Sequence, residues 1–212
     1  MNLESAPRRS YRGISKEDRR AERCVRLITA AIKTYGLMGF RQTSVKAVCA
    51  EAGLTERYFY ESFNNSEELL LTAYGAVIEG LLRELTQAVE KVGGDKFERA
   101  RVMLEAYFTL LRREPAAARL ILIEIRGVSA ATTNAYTAAL HGVSQKLREV
   151  LSIPNGEAQQ LLGLAVVGGI SLIALDWIEQ DYAPPIGVMV GTSLKLASCL
   201  LDVTANRKRL II

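Results

Sequence analysis

Nowhere in this chain do apolar and polar side chains alternate over the length of a strand. Apolar residues recur instead at three- and four-residue intervals, interrupted by glycine, proline or paired asparagine. That period specifies helices from end to end. "SKEDRRAERCVRLITAAIKTYGLMGF" opens at Ser15 with Asp18 three residues on, close to a capping box. It carries Val25, Ile28, Ile32 and Tyr35 as an apolar stripe and stops at Gly36 and Gly39. In "TSVKAVCAEAGL", Thr43 or Ser44 can cap, Val45, Val48 and Ala52 face inward, and Gly53 ends the helix. Thr55 can cap a second short helix through "ERYFYESF", which Asn64 and Asn65 terminate. A long helix then runs to "GGD" at residues 93–95.

Beyond Asp95 the helices lengthen and become more apolar. "DKFERARVMLEAYFTLLRRE" ends at Pro115, which opens "PAAARLILIEIRGV" from a first-turn position where its missing N–H does no harm. "SAATTNAYTAALHGVSQKLREVLSI" stops near Pro154, "NGEAQQLLGLAVVGGISLIALDWIEQD" stops before Pro184 and Pro185, and "IGVMVGTSLKLASCLLDVTANRKR" closes the chain. The fold class is therefore all-α, with about nine helices. The expected organisation is a basic N-terminal arm over residues 1–14, a small helical domain over 15–65 and a larger helical body over 66–212.

Charge separates the same parts. Residues 1–60 hold 12 Lys and Arg against 6 Asp and Glu, while the remaining 152 hold 15 against 17. A basic end on a near-neutral body suits a polyanion partner, and a solvated tail explains the same count equally well. The first 14 residues lack the apolar stretch of a secretory signal. Cys24, Cys49 and Cys199 are isolated, with no metal-binding or disulfide spacing, so reduced thiols in the cytoplasm are expected. The apolar run from Leu161 to Leu175 falls short of the roughly 18 residues that span a bilayer, so it reads as a buried helix.

Two short helices joined by "AGLT" have the layout of a helix-turn-helix, with Gly53 where a left-handed backbone is needed. In the second helix Phe59 and Phe63 lie four apart and belong inside. Arg57, Tyr58 and Glu61 then point outward, Thr55 and Glu56 sit at the exposed start, and Tyr60 lies at the border with its hydroxyl in reach of a phosphate. Arginine can fork to a guanine edge and a tyrosine ring can touch a thymine methyl.

From about Arg20 to Leu71 the chain resembles the DNA-binding domain of TetR-family transcriptional regulators. The resemblance rests on Ala30-Ala31, Gly39-Phe40, "TSV" at 43–45, "AGLT" at 52–55, Tyr60, Phe63 and "EEL" at 67–69. It implies DNA contacts from Thr43, Ser44, Thr55, Glu56, Arg57, Tyr58 and Tyr60, with Arg57 and Tyr58 on bases and Thr43, Ser44, Thr55 and Tyr60 on phosphates. The family usually has "SKEEL" where this chain has "NSEEL", so Ser66 replaces a lysine that commonly meets the backbone. Serine at a helix start can still donate to a phosphate, but the salt dependence of binding should flatten by about one charge per subunit. Arg8, Arg9 and Arg12 would compensate if the arm lies along the duplex.

The resemblance further implies a ligand-responsive repressor that binds a palindromic operator as a homodimer and is released by a small, largely apolar effector. The dimer interface would be a four-helix arrangement of the last two helices from each subunit. Leu161, Gly163, Ala165, Val166, Gly169, Ile170, Leu194, Leu196 and Leu200 are the candidates. Pocket candidates are Met103, Tyr107, Phe108, Tyr136, His141 and Trp177, which combine apolar bulk with a few polar tips. His141 is the sole histidine, so no metal is expected, nor any cofactor. An enzyme is disfavoured: there is no GxSxG or P-loop, and "VVGGIS" lies mid-helix with no strand before it. The rival reading is a helical structural or membrane-surface protein without sequence-specific DNA binding. It accounts for the basic end and the apolar run but not for the spaced helix-turn-helix pattern.

Overall fold

The computed structural model describes residues 16–92 and 94–201. Among them are nine α-helices and no strand: α1 (Lys16–Met38), α2 (Val45–Ala52), α3 (Glu56–Tyr60), α4 (Ser66–Glu90), α5 (Lys96–Arg113), α6 (Pro115–Arg119), α7 (Ala130–Val150), α8 (Glu157–Glu179) and α9 (Ile186–Leu201). The all-α reading holds. The arm over residues 1–14 lies outside the described residues, as does the chain beyond Leu201.

Helix starts follow local chemistry. Ser44, Asn65, Asp95 and Ser129 each accept a backbone N–H of the first turn of α2, α4, α5 and α7. Gly53 ends α2 at φ 62°, ψ 38°, where a side chain would strain the backbone. The stretch from Pro115 is not one regular helix. α6 widens after Arg119 into a π turn over Leu120–Glu124, where the Ile125 N–H reaches back five residues to the Leu120 carbonyl.

The head consists of α1, α2 and α3 packed against the start of α4. α1 turns Leu27, Ala30, Ala31 and Tyr35 inward, while Ile28 and Ile32 lie at the edge of the face and Val25 is 62% exposed. The stripe is thus rotated from the one expected, because α1 must serve α2 and α3 on one side and α4 and α6 on the other. α3 has only five residues, too few to be stable alone. The burial of Phe59 and Phe63, at 0% and 5% exposure, holds it in place. Each such ring contributes roughly 2–3 kcal/mol.

The body comprises α4 to α9. α8 is apolar on every side and, by length and composition alone, long enough to cross a membrane. It is not wholly buried, as the sequence suggested. Val166, Val167, Ile170, Ala174, Trp177 and Ile178 face inward, whereas Leu161 and Leu172 are 65% and 63% exposed and Ala165 is exposed beside them. Its small residues serve contacts within the chain. A Cβ on Gly163 would lie 2.5 Å from Ser144 Oγ on α7, and one on Gly169 would lie 2.8 Å from Leu196 Cδ2 on α9.

Candidate DNA-binding surface and effector cavity

α3 and the turn before it are fastened to α1 by three arginines spaced three apart. Arg26 donates to the Ala52 carbonyl through Nε at 3.1 Å and Nη2 at 2.6 Å, and to the Gly53 carbonyl at 3.1 Å, clamping the turn between α2 and α3. Arg23 places its guanidinium 4.5 Å from the centre of the Tyr58 ring and 3.8 Å from the Glu61 carboxylate. Arg20 donates to the Glu61 carbonyl at 2.9 Å, just past the end of α3. Sequence reasoning counted these residues only as charge. Their i, i+3, i+6 spacing along one edge of α1 was the available signal.

This scaffold revises two of the expected DNA contacts. Tyr58, assigned to bases, is half-buried beneath Arg23, while Tyr60, assigned to the border, is 59% exposed. The guanidinium holds the Tyr58 ring against α1 by cation–π attraction, and the outer face passes to Tyr60. Thr43, assigned to a phosphate, is buried, and its hydroxyl donates to the Gly39 carbonyl at 2.7 Å. It closes the turn after α1.

Ser44 is exposed at the start of α2, where its oxygen accepts the Ala47 N–H at 3.2 Å and its own proton is left to donate. Lys46, which sequence reasoning passed over, is exposed one helical turn from Ala50 and forms no ion pair among the described residues. Thr55 is the exposed residue before α3 and makes no capping bond, and Glu56 is exposed in the first turn. The Arg57 side chain is 84% exposed, with Nε on Glu61 Oε1 at 3.1 Å. Ser66 is half-buried at the first position of α4, whose start is capped by Asn65 and tightened by Glu68, which accepts from the Asn64 backbone and amide.

In the body, α4, α5, α7, α8 and the π turn enclose an apolar cavity. Met103, Tyr107 and Tyr136 line it, as do Ile121, Leu122 and Ser171. Burial, and secondarily the neighbouring Tyr136, push the Tyr74 and Tyr107 hydroxyls up, and Ser171 is a hydrogen-bond partner of Tyr107. These hydroxyls form a polar spot in an otherwise apolar lining. The cavity offers about 90 Å³ of open space, well below the roughly 300 Å³ at the small end of ligand sites.

Three pocket candidates lie elsewhere. Phe108 and Trp177 pack edge to face at 5.4 Å, and Trp177 meets Tyr182 in the same way at 5.0 Å. The Trp177 Nε1 donates to the Pro184 carbonyl at 2.7 Å, so these rings brace the loop between α8 and α9. His141 is exposed on the outer side of α7. Among the described residues no group of three or more metal-ligating side chains occurs.

The segment that forms one cavity wall also holds the head. Arg119 donates to the Gly36 carbonyl at 3.0 Å, and Glu124 accepts the Phe40 N–H at 2.8 Å. Arg41 donates to the Gly127 carbonyl at 2.7 Å, and the Ser129 hydroxyl donates to Glu67 at 2.6 Å. Ile121 and Leu122 lie between these ties and face the cavity.

The candidate dimer residues divide. Leu161 and Ala165 are exposed. Gly163, Val166 and Ile170 are buried within the chain, Gly169 is roofed by Leu196, and Leu194 and Leu196 pack half-buried against the core. The Leu200 side chain lies outside the described residues.

Residues 27–73 match the model of the bacterial regulatory proteins of the tetR family. The fold resembles that of the fatty acid degradation regulator FadR from Bacillus halodurans, with TM-score 0.70 and 18% identity over 82% of this chain and 93% of that one. It also resembles FadR from Bacillus subtilis, a structure in complex with stearoyl-CoA (TM-score 0.68, 17% identity, 81% of this chain and 96% of that one). A regulator from Pseudomonas aeruginosa PAO1 aligns over 92% of this chain and 99% of that one, with TM-score 0.60 and 22% identity. These likenesses are of fold. Residues 27–73 thus match the helix-turn-helix domain of the tetR-family regulators, and the chain as a whole is similar in fold to solved regulators of that type.

Proposed function

We propose that this regulator is a ligand-responsive repressor that binds a palindromic operator as a homodimer in the cytoplasm and lets go when a largely apolar effector enters the body. On this reading residues 1–14 are an arm, 15–65 the DNA-binding domain and 66–212 the effector and dimer domain. Ser44, Lys46, Thr55, Arg57 and Tyr60 meet the duplex, with Arg57 and Tyr60 directed at bases and Ser66 close to the backbone. Thr43 and Tyr58 act indirectly by fixing the turn and the helix.

The observation that carries the proposal is the double duty of residues 115–129. Ile121 and Leu122 wall the cavity, while Arg119, Glu124 and Gly127 tie that wall to the head. A cavity of about 90 Å³ accepts a drug-sized molecule only if its walls move apart. The effector therefore favours a conformation in which the π turn is displaced and the two heads no longer match the half-sites, about one helical turn apart. The stearoyl-CoA seen with the Bacillus subtilis relative supports an effector bearing a long apolar chain.

For the second copy, the free stripe of Leu161, Ala165 and Leu172 on α8 and the 52%-exposed Val188 on α9 supports an α8–α9 interface. It keeps the expected pair of helices and Leu161 and Ala165, while Gly163, Val166 and Ile170 are already used within the chain. The test is a mobility shift with duplexes selected from a random pool. Wild type should bind selected sites with two-fold symmetry, and Arg57→Ala should lose the preference at one base position, at a cost of about 1–3 kcal/mol. Equal binding of selected and scrambled duplexes would refute the proposal.

A further inference from the structure

The apolar cavity and a group of arginines share a wall. Leu122, Tyr136 and Ser171 line both the cavity and a neighbouring surface opening, which Arg126, Gly168 and Leu172 also line. Gly168 and Leu172 belong to the α8 face offered for the dimer, so the opening lies at the rim of that face. Arg126 in turn borders a depression between head and body that also contains Arg41 and Arg119. The Arg126 guanidinium is exposed, stands 5.9 Å from the centre of the Tyr136 ring and forms no ion pair among the described residues. The carboxylate in the depression, Glu124, is engaged by the Phe40 N–H at 2.8 Å. Leu37 and Met38, 59% and 47% exposed, give the depression an apolar side.

We propose that the effector is an amphipathic anion, with its chain in the cavity and its anionic head on Arg126, within the field of Arg41 and Arg119. The inference rests on the effector reading of the cavity and specifies its chemistry. A cation without a carboxylate partner, one side chain away from an apolar cavity, selects a ligand whose charge sits at the end of its chain. Guanidinium forks to carboxylate and phosphate alike, so a long-chain acid and an acyl thioester with a phosphorylated carrier share the required chemistry. The position also explains release. Arg41 and Arg119 donate to the Gly127 and Gly36 carbonyls at 2.7 and 3.0 Å. An anion beside them competes for those donors and loosens the ties between head and body.

Calorimetry on the full chain, using palmitate, palmitoyl-CoA and hexadecanol, tests the inference. At least one anion should bind about tenfold more tightly than the alcohol, and the advantage should shrink as salt is raised. Arg126→Ala should erase that advantage, and Arg126→Lys should keep part of it. Tighter binding of palmitoyl-CoA than palmitate, with measurable binding of CoA alone, assigns the head to phosphates, and the reverse order assigns it to a carboxylate. Equal binding of all three, indifferent to Arg126→Ala, overturns the anionic head and leaves the cavity reading intact. Binding of none overturns both.

Discussion

Gly36 offers the sharpest test of the joint between head and body. It lies two residues before the end of α1, and a Cβ there would stand 2.0 Å from the Ala116 carbonyl oxygen, with the Ala116 carbonyl carbon at 2.6 Å and Cα at 2.7 Å. All three are backbone atoms, which cannot rotate aside. Ordinary contact begins at 3.4 Å, so Gly36→Ala must separate α1 from α6 by about 1.4 Å. The substitution gains about 1 kcal/mol of helix propensity. Against that stand about 1–3 kcal/mol or more of overpacking and the stretching of the Arg119 bond to the Gly36 carbonyl, now 3.0 Å long, at about 0.5–1.5 kcal/mol. The net expectation is a loss of about 1–3 kcal/mol, or roughly 3–10 °C in Tm for a chain of this size. Gly142→Ala is the control: Gly142 is exposed on α7 with open space around it, so it should gain about 0.5–1 kcal/mol. Operator affinity, measured well below either Tm, should fall several-fold for Gly36→Ala and stay unchanged for Gly142→Ala. If Gly36→Ala melts at or above wild type and binds the operator equally well, the close approach of α1 to α6 does not set the head.

Three further perturbations probe other parts of the same design. Glu124→Ala removes the acceptor of the Phe40 N–H and should cost about 1–3 kcal/mol. It should also weaken operator binding in the absence of effector; a change in Tm alone would separate packing from coupling. Leu172→Arg places a charge on the exposed stripe of α8; sedimentation should show monomers with little loss of monomer stability, and a persistent dimer would move the interface elsewhere. Alkaline pH tests the buried phenols. Tyr35 is fully buried, and burial pushes its hydroxyl up to about 12. The folded state thus resists ionisation that the unfolded chain undergoes near 10, so stability is intact below 10 and declines as pH climbs to 12, by about 3 kcal/mol for this residue. Tyr74 and Tyr107 act in the same direction. Tyrosinate absorbance from these buried rings should therefore appear only with unfolding; their ionisation near 10 in a still-folded chain would contradict the burial argument.

Helices and turns were legible because each depends on neighbours within four residues: Ser44 and Asn65 as caps, Gly53 at positive φ, Phe59 and Phe63 one turn apart. Illegible features depend on a partner far along the chain. Tyr58 and Tyr60 exchange places because Arg23, on another helix, covers one of them. Phe108 and Tyr107 are adjacent on α5, yet one meets Trp177 and the other the cavity. On α8, apolar all round, no pattern could say which side would be left for a second copy. The basic excess of the first 60 residues shows the same limit with a consequence for function. Arg20, Arg23 and Arg26 still contribute to the field of the head, but their donors are committed to α3 and the turn. Among the described residues Lys46 and Arg57 then remain as the exposed cations on α2 and α3. On the proposed DNA-binding reading, Ser66 in place of a lysine leaves few phosphate contacts expected, and affinity should fall only gently with salt unless the arm supplies more. Removing residues 1–14 and measuring the slope of log affinity against log salt decides the matter: a slope that drops by two or three charges per subunit assigns Arg8, Arg9 and Arg12 to the duplex.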